Sequence, residues 1–103
     1  MGGWRMFPGR TTRLTSRSAA SAATLDADRD ILILSGTTAI VTLVPKTLNK
    51  AYAQILGIIP TNAAGISTSA AGNIINVQAM IQNKITWFVW EPTTAKWYPH
   101  ALA

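Results

Sequence analysis

The chain of 103 residues contains no cysteine, which excludes disulfide scaffolds, thiolate zinc sites and thiol nucleophiles. Charge is also scarce. Nine Lys and Arg against four Asp and Glu make only 13% of residues charged, about half the share of roughly 25% usual in a soluble domain. Long hydrophobic runs are missing as well: a stretch such as residues 31–34 falls far short of the roughly 18 residues of a membrane-crossing helix. Residues 1–23 lack the apolar stretch of a secretory signal; rich in Arg, Ser and Ala and free of acid, they look more like a transit peptide. No Gly-Lys-Ser or Gly-Lys-Thr occurs, and Gly57, Gly65 and Gly72 are too widely spaced for a phosphate-cradling loop. His100 is the only histidine and has no nucleophile or carboxylate beside it in sequence, so an ordinary polar terminus is its simpler role.

What is present is apolar and β-forming. Hydrophobic residues make up 49% of the chain and the mean hydropathy is +0.22, values that do not fit a disordered main body. The charge is one-signed at the start: Arg5, Arg10, Arg13 and Arg17 stand among residues 1–23 with no acid. The remainder is nearly balanced. Residues 1–24 are expected to form an extended, basic anchoring arm and residues 25–103 one β-domain. Residues 31–34 and 39–44, separated by Ser35-Gly36-Thr37-Thr38, read as a hairpin. Residues 47–59 are ambiguous and fit a turn followed by a strand from about Ala51. A short strand is expected at 66–69, two short strands or one bent one at 74–77 and 80–82, a strong one at 85–91 (ITWFVWE), and a last one beginning at Trp97-Tyr98. Turn signals every 8 to 12 residues or so suit an all-β class, here a small antiparallel β-sandwich or barrel-like domain with an extended N-terminal arm.

Two side-chain groups carry functional expectations. In the arm, Trp4, Arg5, Phe7, Arg10, Arg13 and Arg17 combine apolar anchors with guanidinium groups, a composition suited to docking on an acidic protein surface rather than tracking nucleic acid phosphates. The second group is Trp87, Trp90, Trp97 and Tyr98. These aromatics suit core or subunit contact; the alternative is a stacking platform for sugars, with Trp97 and Tyr98 exposed. Asp26, Asp28 and Asp30 alternate, but Ile31 and Thr37 stand where a calcium loop needs Gly and Glu, so they read as a polar boundary between arm and core. No metal, cofactor or enzymatic activity is expected.

From Thr24 onward the order of features resembles a small β-rich domain found in bacteriophage virion proteins, in tail fibres, spikes and head-decoration proteins. The matching pieces are Asp30-Ile31-Leu32-Ile33-Leu34, Ala39-Ile40-Val41-Thr42-Leu43-Val44-Pro45, Gly65-Ile66, Gly72-Asn73-Ile74-Ile75, residues 85–90 and Trp97. Val44 interrupts the usual Leu-Pro ending, and the basic arm lies outside the pattern. The resemblance implies a structural component on the surface of a virion, with major capsid or other virion proteins as partners and no membrane. A short chain with an arm fits a capsid decoration or cement protein that binds an assembled shell and stabilises it. The alternative is a carbohydrate- or receptor-binding module of a tail or fibre. Poorly charged flanks add the expectation of a homo-oligomer, a dimer or trimer.

Overall fold

The computed structural model describes residues 13–46 and 52–100. Within these residues nine strands follow one another: β1 Ser16–Ala20, β2 Thr24–Ala27, β3 Ile31–Ser35, β4 Thr42–Pro45, β5 Gln54–Pro60, β6 Ile66–Ser67, β7 Ala79–Met80, β8 Thr86–Glu91 and β9 Lys96–Pro99. The chain is all-β, but its sheets are mixed. One five-stranded sheet has the order β9-β8-β5-β3-β1, a second sheet pairs β2 with β4, and β6 pairs with β7. Strands β1, β3 and β5 run parallel, as do β2 and β4, whereas β5, β8 and β9 are antiparallel neighbours.

The expected antiparallel architecture is therefore corrected, and so is the hairpin. Strand β3 has β1 on one side and β5 on the other, so no edge is left for β4, which pairs with β2 instead. Ser35-Gly36-Thr37-Thr38 lacks the Asn-Gly or Asp-Gly chemistry that folds two strands tightly back on each other. It leads the chain out of one sheet towards the other, and Ile40 bridges to Thr68 on the way. The result is a winding path: β1 in the large sheet, β2 in the small one, β3 back beside β1, β4 beside β2, and β5 beside β3.

Side-chain alternation explains the layers. Leu25 and Ala27 of β2, Leu32 and Leu34 of β3, Leu43 of β4, Leu56 and Ile58 of β5, and Phe88 and Trp90 of β8 are buried and belong to a single core cluster. Strand β8, between β5 and β9 in the sheet, buries Phe88 and Trp90 on its core face, while Trp87 and Val89 stand on the opposite, partly open face. The strands expected at 74–77 and 80–82 shrink to a bridge at Ile74 and the two-residue β7. Part of the expected arm also belongs to the sheet: β1 pairs with β3 along its whole length, and Ala19 packs on the core.

Two polar devices close the fold. Asn73 acts as a substitute strand for β4: Leu43 N donates to its Oδ1 at 2.9 Å and its Nδ2 donates to Leu43 O at 2.7 Å. Trp97 Nε1 donates to the same carbonyl at 2.9 Å. Along β9, Trp97 N donates to Asn73 O at 2.7 Å and Ile75 N donates to Trp97 O at 3.0 Å, so residues 73–75 cover that edge of the large sheet.

A candidate docking face on the large sheet

The face of the large sheet opposite the core is apolar and open. Ile55 of β5 stands opposite Val89 of β8, which stands opposite Tyr98 of β9. These three side chains form a row across adjacent strands, at the separation where cross-strand neighbours touch. They remain 58%, 41% and 37% exposed, and Leu14 beside them is 56% exposed, so nothing in the described structure covers the row. With Asp30, Trp87, Pro99 and His100 they line a groove of about 570 Å³, within the roughly 300–1,000 Å³ of ligand-sized clefts.

Trp87 shapes the groove floor through Gly57. A Cβ on Gly57 would lie 2.6 Å from Ile85 Cδ1 and 2.9 Å from Trp87 Cζ3, so a larger residue there would make the Ile85 and Trp87 side chains shift. At one end, Asp30 ties the chain entry to β3. Thr15 N and Thr15 Oγ1 donate to its Oδ2 at 2.8 and 3.1 Å, while Asp30 N and Ile31 N donate to Thr15 O at 3.0 and 2.9 Å. These bonds fix Leu14 at the groove. The Thr15 amide, together with Lys46 Nζ at 3.5 Å, holds the Asp30 carboxyl below its ordinary value against a smaller opposing effect of burial.

The residues singled out from sequence are distributed as follows. Trp4, Arg5, Phe7 and Arg10 lie outside the described residues. Arg13 is exposed next to Leu14. Arg17 is engaged within the domain: its Nε donates to Asp28 Oδ1 at 2.7 Å and its Nη2 to Asp26 O at 3.2 Å, which ties β1 to the β2 end. Trp90 and Trp97 are in the core, their ring centroids 5.6 Å apart with planes inclined at 52°. Trp97 is fully buried, so it has no free face for stacking on a sugar, contrary to the exposed position that the glycan alternative gave it. Only Trp87 and Tyr98 of that set reach the groove.

Sequence reasoning missed Leu14, Asp30, Ile55, Val89 and His100 as one lining. The signal was present in part, since Trp87 and Val89 share the outer face of β8. Ile55 joins them only because β5 and β8 are neighbours, which spacing along the chain does not state. Among the described residues no group of three or more His, Cys, Asp or Glu side chains is placed to hold a metal ion. No protein-family model matches the chain, and no curated protein or solved structure is similar enough to it to be a match.

Proposed function

We propose that this chain is a structural subunit that docks on an assembled protein shell, as a decoration or cement protein on a virion surface. The observation that carries the reading is the uncovered Leu14-Ile55-Val89-Tyr98 face: apolar, contiguous across three strands, and placed where the N-terminal segment enters. An apolar patch of this kind, rimmed by polar groups, is characteristic of a protein interface. The two-layer core supplies the rigid platform, and residues 1–12 supply a basic, aromatic arm that extends the contact. The virion setting comes from the resemblance that runs from Thr24 onward.

Co-sedimentation tests this. Shells from the phage that encodes the chain, assembled without it, are mixed with purified protein. Wild-type chain is expected to pellet at a fixed ratio to the shell protein, and an Ile55→Asp, Val89→Asp double variant with an unchanged circular dichroism spectrum is expected to stay in solution. Wild-type protein that remains in the supernatant overturns the reading.

A further inference from the structure

Leu14 is a wall of the groove, so residues 1–12 join the described structure at the groove itself, one residue away through Arg13. Those residues read Met-Gly-Gly-Trp-Arg-Met-Phe-Pro-Gly-Arg-Thr-Thr, with Trp4, Met6 and Phe7 as large apolar side chains, Arg5 and Arg10 as charges, and no acid. Extended, they reach about 40 Å, ample to cross three strands spaced about 4.8 Å apart and return. Pro8-Gly9 supplies a turn-forming pair between the aromatic half and the point of attachment.

The groove offers matching chemistry. Its walls are Ile55, Trp87, Val89 and Tyr98, and its one acid, Asp30, lies at the end where the chain enters. We infer that the groove is a binding site for an aromatic-anchored basic peptide, and that its occupant in the free protein is residues 1–12 of the same chain, with Trp4 and Phe7 on the apolar walls and Arg10 at the Asp30 end. Tethering favours this occupant over any other. A segment attached at the rim is present at an effective concentration of order millimolar, which a separate molecule reaches only at high concentration. The inference rests on the reading of residues 1–12 as an arm with apolar anchors. It adds that the arm and the docking face first satisfy each other, so that docking on a shell is an exchange of partners.

The absence of cysteine makes the test direct. Gly2→Cys in the full chain is labelled with a nitroxide, and amide signals are compared with those of the reduced, diamagnetic label. Strong broadening at Ile55, Val89 and Tyr98, unchanged on dilution, is expected. It is expected to vanish when isotope-labelled chain without nitroxide is mixed with nitroxide-labelled chain without isotope, and to fall several-fold when Trp4→Ala and Phe7→Ala are added. No broadening at these residues overturns the inference. So does broadening in the mixed sample, which would give the groove to a neighbour's arm. Because no shell is present, this outcome is independent of the co-sedimentation result.

Discussion

Trp90 and Trp97 are adjacent indoles with opposite polar fates. Trp97 Nε1 has Leu43 O, whereas Trp90 Nε1 is buried with no partner among the described residues. Replacing Trp97 by Phe removes a buried hydrogen bond and leaves a cavity, for an expected loss of about 2–4 kcal/mol. Trp90→Phe leaves a similar cavity but also removes an unsatisfied donor, so its cost is expected to be smaller by about 1–2 kcal/mol; urea unfolding of both variants checks the order. Asn73→Ala leaves Leu43 N without its acceptor, and an expected loss of about 2–3 kcal/mol is read the same way. Three carboxyls sit below their ordinary values: Asp28 chiefly through the Arg17 hydrogen bond, Asp30 through the Thr15 amide, and Glu91 through the Thr93 and Thr94 amides. Lowered carboxyls stabilise the fold above their ordinary values, 3.8 for Asp and 4.5 for Glu, and that contribution drains away as pH falls through the lowered ones. Melting temperatures are thus expected to hold level from neutral pH until the ordinary carboxyl range and to drop below it.

Among the elements, β1 shows why sequence patterning stopped short. Ser-Arg-Ser-Ala-Ala has no apolar alternation because one side of the strand is open and the other needs only Arg17 and Ala19, half-buried, to meet Leu32 and Leu34. Strands β3 and β8 were legible because they bury Leu or aromatic side chains at alternate positions; the partner of each strand was not, since parallel pairing joins residues that no turn brings together. The same limit hid the groove. Thr15 O accepts from Ile31 N, and Ser21 N donates to Ser35 O, so the backbone groups of odd-numbered residues face β3 while those of Ser16, Ser18 and Ala20 face outward. Proline tests this alternation. Ser18→Pro removes an outward N–H and is expected to cost under about 1 kcal/mol, whereas Ala19→Pro breaks the ladder and is expected to cost about 2 kcal/mol or more, measured by thermal unfolding.

At the scale of the whole molecule, the boundary between arm and domain is a matter of which contacts a truncation removes. Cutting after residue 12 leaves Thr15, Arg17 and β1 in place; cutting after residue 24 takes away a strand, the Arg17–Asp28 ion pair and the acceptor of Val41 N at Ala23. The shorter truncation is expected to unfold cooperatively near the wild-type temperature and the longer one well below it, by calorimetry. The two rims of the large sheet also differ. Residues 73–75 seal the rim at β9, while among the described residues no strand pairs with the outer side of β1. An uncovered edge strand is a template for another strand, and among the described residues the large sheet offers one at β1 and not at β9, so strand addition to that sheet has a direction built into it: it can extend past β1 and is blocked past β9.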